Sequence, residues 1–169
     1  LAIISGMYAA YHGPDGLTAI ARRVNKLTAE LAAHVMNNGY ELGSTSFFDT
    51  ITIHTNQASV LADNLEKSGV NVRRTNSDQI GISLDETSTV ATLGTIASVL
   101  TPNVPLVSID QEFTCIPDSS SRITRFLQHP VFNTYKSETS MLRYLRKLSD
   151  KDIALDRSMI PLGSCTMKL

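Results

Sequence analysis

The sequence predicts an α+β domain in which helices cover one face of a short sheet. Leu17 to Asn37 repeats apolar residues at steps of three and four, which places them on one side of a long helix. Phe47 to Thr55 instead alternates apolar and polar residues, as a half-buried strand does. Further segments of both kinds follow in the order α-β-α-β-β-α, which is typical of helices packed on one side of a sheet.

The first helices carry clear start and stop signals. Leu1 to Tyr11 is an apolar helical segment that Gly13 and Pro14 are expected to break, because both residues oppose continuation of a helix. Gly39 is expected to end the long helix in a left-handed conformation. A shorter helix follows from Ala58 to Lys67. The expected inward residues of these two helices are Leu17, Ile20, Val24, Leu27, Leu31 and Val35 in the first, and Ala58, Leu61, Ala62 and Leu65 in the second.

Two further strands and a helix complete the predicted domain. Val70 to Arg74 and Gln79 to Leu84 are expected to form strands joined by a polar turn. A helix should then span residues 88–100, with Asp85 or Thr87 as its N-cap. The residues expected to face the core are Ile80, Ile82 and Leu84 in the strand, and Val90, Leu93, Ile96, Ala97 and Leu100 in the helix.

The rest of the chain is less regular. Thr101 to Ser121 is rich in proline and serine, which favours a linker or a wrapping arm. Arg122 to Tyr135 has apolar anchors without a sustained period, whereas Ser137 is expected to cap a helix from Glu138 to Leu148. Ser149 to Leu169 shows no regular pattern. The apolar face of the predicted helix comprises Met141, Leu142, Leu145 and Leu148.

Composition argues against nucleic-acid and membrane partners. The chain carries 15 basic and 16 acidic side chains, for a net charge of −1, and has no long basic stripe. No apolar run approaches the roughly 20 residues that a membrane-spanning helix requires. Cys115 and Cys165 match no metal-binding spacing and are expected to be reduced thiols, although the sequence leaves a disulfide between them open.

The segment with the most chemical potential lies at the end of the chain. Gly163, Ser164, Cys165 and Thr166 combine a permissive glycine with hydroxyl and thiol groups beside successive backbone N–H donors. Such a turn can bind a carboxylate or phosphate, although the same pattern is common in unstructured tails. From the pattern alone the tail is the more frequent outcome.

The other polar groups favour structural roles. The four histidines, His12, His34, His54 and His129, have no metal-binding spacing. Asp85 and Glu86 are expected to stabilise a helix start. Arg73 and Arg74 are better explained by protection of a strand edge than by binding of a carboxylate.

Several phrases of the sequence are distinctive in combination: residues 11–17 (YHGPDGL), 20–23 (IARR), 47–50 (FFDT), 81–87 (GISLDET), 125–127 (RFL), 129–133 (HPVFN), 137–139 (SET), 141–144 (MLRY) and 158–168 (SMIPLGSCTMK). In this order and without gaps, they resemble the glycine dehydrogenase (decarboxylating) family, the P-protein of the glycine cleavage system. Each phrase alone is weak, but together they cover nearly the whole chain.

The resemblance implies a fold and a place within it. The family has the aspartate-aminotransferase-like fold (fold type I), duplicated in two halves. Residues 1–16 would end a large-domain helix, 17–100 would form the small α+β domain of the first half, 101–121 would be a linker, and 122–169 would begin the second half with an arm, a helix and an active-site loop. We therefore expect the chain to be an internal piece of a longer enzyme, cytoplasmic in bacteria or mitochondrial in eukaryotes.

The resemblance also implies a chemistry that this piece does not perform alone. The family uses pyridoxal phosphate to decarboxylate glycine and passes the aminomethyl group to the lipoyl arm of a carrier protein, the H-protein. The enzyme is expected to be a homodimer, and Gly163, Ser164, Cys165 and Thr166 to line its active site. No catalytic or cofactor-binding residue is assigned here, because none of the lysines matches the context of the Schiff-base lysine. These lysines are Lys26, Lys67, Lys136, Lys147, Lys151 and Lys168.

Two other classes of function remain open at this point. A small α+β layer also suits a free-standing ligand-binding module. A third class is an interaction role, in which the apolar faces of Leu1–Tyr11 and Glu138–Leu148 dock on the rest of a parent chain.

Overall fold

A computed structural model describes residues 1–106 and 115–154 of the 169-residue chain. The chain divides into two compact units. One unit is continuous, from Thr18 to Thr124, and the other combines Leu1–Leu17 with the chain from Arg125 onward.

A long N-terminal helix, α1, spans Ala2–Asn37 and contributes to both units. The break predicted at Gly13 and Pro14 is a kink within this helix, where Gly13 adopts φ 64° and ψ −175°. Gly39 has φ 88°, so the predicted left-handed stop is confirmed. The predicted apolar stripe is confirmed for Val24, Leu27, Leu31 and Val35, which are buried, whereas Leu17 and Ile20 are half-buried.

Four antiparallel strands form one sheet in the order β1-β2-β4-β3. Their bounds are Glu41–Leu42, Thr50–His54, Arg73–Asn76 and Gln79–Ser83 for β1, β2, β3 and β4. The two-residue strand β1 was not predicted, because it is too short to show a period. The strand predicted at Val70–Arg74 is displaced toward the hairpin, where Arg73 pairs with Gly81 and Asn76 pairs with Gln79. Val70 and Val72 pack against the core instead of joining the ladder.

Three helices and the sheet share one hydrophobic core. Helix α2 spans Ala58–Lys67 as predicted, and α3 spans Val90–Leu100. All the residues predicted to face inward from α2 are buried, and so are Ile80, Ile82 and Leu84. On the opposite face of the sheet Thr50, Arg73 and Ser83 are exposed. The α+β prediction is therefore confirmed. The largest fully buried apolar side chains are Leu31, Val35, Ile51, Ile53, Leu65, Ile80, Ile82, Leu93 and Ile96.

The start of α3 differs from the prediction. Thr89 is the N-cap, and its hydroxyl accepts a hydrogen bond from the backbone N–H of Thr92. Asp85 instead closes the preceding turn, where its Oδ1 accepts from the backbone N–H groups of Thr87 and Ser88 at 2.9 and 3.0 Å. The helix begins two residues later than predicted. Val90 is its first residue and is 64% exposed, outside the predicted stripe.

Arg23 fastens α1 to this turn. Its guanidinium donates to the carbonyl oxygen of Glu86 at 2.8 Å and to that of Ser88 at 2.7 Å. Two carbonyl groups that precede α3 are thereby satisfied by one side chain. The same planar side chain fixes the turn against the long helix.

The proline-rich stretch after α3 returns to the core of its own unit. Leu106 packs against the hydrophobic cluster, and Cys115 is a buried free thiol. Cys115 accepts from Phe47 N–H through its carbonyl at 3.2 Å, and its Sγ accepts from Asn25 Nδ2 at 3.2 Å. The described ends of this stretch, at Leu106 and Cys115, thus both contact the rest of their unit.

The second unit contains two further helices after Arg125. Helix α4 is a single turn, Val131–Thr134, and α5 spans Glu138–Ser149 with Ser137 as its N-cap. The cap prediction is confirmed, but the predicted apolar face is only partly right. Leu142 and Leu145 are exposed, and the half-buried residues of α5 are Ser140, Met141, Tyr144 and Leu148. Across the described ranges, no helix is both long enough and apolar enough to cross a membrane.

Truncation of Leu93 should destabilise the chain far more than truncation of Val90 on the same helix. Leu93 is fully buried, so Leu93→Ala should lower the free energy of unfolding by about 2–5 kcal/mol. Val90→Ala, the matched control, should change it by less than about 0.5 kcal/mol because Val90 is exposed. Urea unfolding followed by circular dichroism measures both, and similar losses would contradict the placement of α3.

Asp85 should make the folding stability of the chain depend on pH. Hydrogen bonds from Thr87 and Ser88 hold the pKa of its carboxyl below its usual range. The carboxylate therefore stabilises the fold above its unfolded pKa of about 3.9, and this contribution is lost as the pH falls through the lower folded pKa. Asp85→Asn removes the charge and should lower the urea concentration at the midpoint of unfolding. The difference in midpoint between wild type and variant should be larger at about pH 6 than at about pH 3. An equal difference at both pH values would show that the carboxylate has no such role.

Candidate functional site

The residues predicted to bind an anion or line an active site are Gly163, Ser164, Cys165 and Thr166. All of them lie outside the described ranges, as does Lys168. Their role stays a prediction. The other phrases that carry the family resemblance, between residues 11 and 144, lie within the described ranges.

Two of those phrases meet at Gly13. A Cβ atom added to Gly13 would lie 2.5 Å from the carbonyl oxygen of Phe132, closer than real Cβ contacts come. The φ of 64° at Gly13 also disfavours any residue with a side chain. Two independent reasons therefore favour glycine at this position: its backbone conformation and the close approach of α4. The kink of α1 and the turn of α4 form one backbone joint within their unit.

Side chains close this joint on several sides. Cε and Nζ of Lys136 would lie 3.1 and 3.3 Å from the same Cβ, so the lysine stem lies over the glycine. The His12 ring contacts Tyr8, with ring centroids 4.3 Å apart, and meets Tyr11 edge-on at 5.3 Å. These contacts fix the orientation of the imidazole beside the kink. Elsewhere in this unit, Tyr135 stacks on Tyr144 with centroids 4.1 Å apart.

The loop that leads into α4 is held by short-range hydrogen bonds. Leu127 has φ 50°, a left-handed conformation that is costly for a branched residue. The Asn133 amide donates to the carbonyl oxygens of Leu127 at 3.1 Å and His129 at 3.3 Å. Nδ1 of His129 accepts from the backbone N–H of Val131 at 3.2 Å, which leaves the proton of a neutral ring on Nε2. The loop is thus shaped by its own side chains.

The other histidines also have structural partners. Nε2 of His34 lies 2.6 Å from Oγ1 of Thr101, and that hydroxyl donates to the carbonyl oxygen of Ala97. Because the threonine proton is already committed, His34 must be the donor in this pair. His54 lies on the open face of the sheet, with its ring nitrogens 3.3 and 3.4 Å from the Gln79 amide. Within the described ranges, no three His, Cys, Asp or Glu side chains form a group suited to a metal ion.

Arg74 is engaged by carboxylates of its own unit. Its guanidinium donates to Asp63 at 2.6 Å and to Glu66 at 3.2 Å, both on α2. The hydrogen bond to Asp63 raises the pKa of Arg74 above its ordinary value. The expectation that this arginine does not bind an external carboxylate is consistent with these contacts.

The described lysines and grooves bear on the cofactor that the family resemblance implies. Lys26, Lys67, Lys136, Lys147 and Lys151 are all exposed in the described structure. The grooves of the Thr18–Thr124 unit include one of about 500 Å³ on the open face of the sheet and one of about 310 Å³ beside Tyr40. Neither groove is lined by a lysine. No step through this cofactor is therefore assigned to the described side chains.

Comparison with known proteins gives consistent matches. The family model described as Glycine cleavage system P-protein matches residues 1–100. The chain is 49% identical over 173 residues to a glycine dehydrogenase (decarboxylating) of Variovorax paradoxus, which covers 99% of the chain and 18% of that protein. It is 47% identical over 170 residues to proteins of the same name from Xanthomonas euvesicatoria and Stenotrophomonas maltophilia, covering 100% of the chain and 18% of each. The chain thus spans about 18% of the length of these relatives.

Substitution of Gly13 should loosen its unit. Gly13→Ala adds a Cβ at positive φ and against Phe132 O, so we expect a loss of about 1–3 kcal/mol in the free energy of unfolding. The matched control is Gly6→Ala on the same helix, where a Cβ meets nothing within 4 Å. That change should be neutral or slightly stabilising, because alanine favours helices.

Thermal unfolding and limited proteolysis of α5 measure both variants. Gly13→Ala should unfold at a lower temperature and expose α5 to protease, whereas Gly6→Ala should not. Equal behaviour of the two variants would contradict the backbone joint.

Proposed function

The chain belongs to the glycine cleavage system P-protein family, and we propose that it forms part of a glycine-decarboxylating enzyme. The observation that carries the proposal is 49% identity across 99% of the chain to a glycine dehydrogenase (decarboxylating). Because the match covers 99% of the chain, it reaches both units. In the proposed reaction, glycine loses its carboxyl group as carbon dioxide and the aminomethyl group passes to a lipoyl group.

The chain's place in the enzyme follows from the family resemblance. Residues 17–100 form the small α+β domain of a fold type I half, 101–121 form a linker, and 122–169 begin the following half. The compact core shared by the sheet and α1, α2 and α3 supports the first assignment. The close approach of Gly13 and Phe132 supports a fixed joint between the preceding helix and the following arm.

The cofactor of the proposed enzyme is pyridoxal phosphate, held mainly by parts of the enzyme outside these 169 residues. The sequence context of the lysines, none of which matches that of the family's Schiff-base lysine, supports this arrangement. Gly163, Ser164, Cys165 and Thr166 line the active site and contribute backbone N–H and hydroxyl donors to an anionic group. The described residues bind no cofactor in this proposal. Their role is to position that loop and to close the domain.

The partners follow from the same assignment. The substrate is glycine, the acceptor is the lipoyl carrier protein, and the surrounding surfaces belong to the rest of the parent chain in a homodimer. The chain's balanced charge supports the absence of a nucleic-acid partner. Exposed apolar residues at Leu1, Ile3 and Ile4 support contact with the rest of the parent chain.

A chimeric enzyme tests the proposed function. The matching 18% of the Variovorax paradoxus relative is replaced by this chain, and release of carbon dioxide from labelled glycine is measured with lipoylated carrier protein and pyridoxal phosphate. The chimera should retain activity because this chain is 49% identical to the segment that it replaces. The isolated chain should release no carbon dioxide under the same conditions.

Gly6→Ala and Gly13→Ala in the chimera provide the controls. The first should keep the activity of the parent chimera, and the second should lower it because the joint beside the active-site arm is strained. A folded, cofactor-loaded chimera without glycine-dependent release would contradict the proposal. Turnover of glycine by the isolated chain would contradict the assignment of the cofactor site to other parts of the enzyme.

A further inference from the structure

Asn38 and Gly39 form the only Asn-Gly pair in the sequence, and they lie where α1 ends. In such a pair the backbone nitrogen of glycine can attack the side-chain carbonyl carbon of asparagine, because no side chain on the glycine obstructs the approach. A five-membered imide forms and ammonia leaves with the broken Cγ–Nδ2 bond. Water then opens either carbonyl of the imide, which yields aspartate or isoaspartate.

The folded end of α1 restrains both reacting groups. The Gly39 N–H donates to the carbonyl oxygen of Met36 at 3.1 Å, and Nδ2 of Asn38 donates to that of His34 at 2.8 Å. The next residue, Tyr40, donates its N–H to the carbonyl oxygen of Val35 at 3.1 Å. This pattern is that of a helix closed by a left-handed glycine. Attack by the glycine nitrogen requires these bonds to open.

We propose that Asn38 is a site of spontaneous deamidation, controlled by opening of the C-terminal turn of α1. The ends of helices open at low free-energy cost, whereas the buried core opens only with global unfolding. Asn38 is half-buried and Gly39 is exposed, so the pair lies on the solvent side of the C-terminal turn of α1. The rate of deamidation therefore depends on how often the end of α1 opens.

The product disfavours the closed state. The asparagine amide donates to a carbonyl at the C-terminus of α1, and a carboxylate cannot donate. The new charge also faces the negative end of the helix dipole. Asn38 lines a groove of about 310 Å³ together with Leu100 and Thr101, at the C-terminal end of α3. The described lining of that groove contains no lysine or arginine that could neutralise the new carboxylate. Isoaspartate additionally lengthens the backbone inside the hydrogen-bonded turn.

Incubation at mildly alkaline pH tests the proposal on the full 169-residue chain. Peptide mapping by mass spectrometry, with enzymatic detection of isoaspartate, follows each asparagine over time. Conversion of Asn38 should be slow in buffer and at least about tenfold faster in urea concentrations that unfold the chain. Asn76, which precedes Ser77 in the β3–β4 turn, is the internal comparison and should convert more slowly than Asn38 in urea.

Two variants separate the chemistry from its consequence. Asn38→Asp mimics the product and should lower the melting temperature by about 2–6 °C. Asn38→Gln should remove the modification from this position, because a longer side chain forms the cyclic imide far less readily. An Asn38 that stays an amide in urea while Asn76 converts would overturn the proposal. Equal rates of Asn38 deamidation in buffer and in urea would show that opening of the helix end does not limit the reaction, and would overturn the proposal.

Discussion

Burial of one face of the sheet is the constraint on which the rest of the structure depends. β2 and β4 lie at the centre of the sheet, and each contributes two isoleucines that are almost wholly removed from water. Their hydrophobic contribution, roughly 1.5–3 kcal/mol for each fully buried side chain, requires cover from α1, α2 and α3. Arg23 and the Asp85 turn hold the edge of this cover in place.

Elements governed by a local period could be predicted well. The inward residues of α2 and the buried stripe of α1 follow from spacing alone, because one apolar face repeats over several turns. Val90 was misplaced because the apolar repeat includes it, whereas as the first residue of α3 it is 64% exposed. The strand β3 was displaced because pairing with β4, rather than its own valines, decides which residues join the ladder.

Contacts between residues far apart in sequence could not be predicted in this way. Gly13 gave a signal for a helix break, but nothing near it indicates that the carbonyl of Phe132 would occupy the space of a side chain. The same limit applies to Cys115, which lies in a proline-rich stretch yet packs beside Asn25. The predicted site at Gly163 to Thr166 lies outside the described ranges, so its geometry rests on the family resemblance. The described histidines and Arg74 are engaged in structural contacts, which explains why site chemistry alone pointed to no reaction.

We propose above all that this chain is a folded component of an enzyme whose cofactor lysine lies in another part of the protein. Incubation of the isolated chain with pyridoxal phosphate, followed by borohydride reduction and peptide mapping, tests it most directly. The account predicts no lysine labelled in preference to the others, because the described lysines are all exposed and none matches the sequence context of the family's Schiff-base lysine. Stoichiometric labelling of a single lysine, with an imine absorbance band that reduction removes, would contradict it.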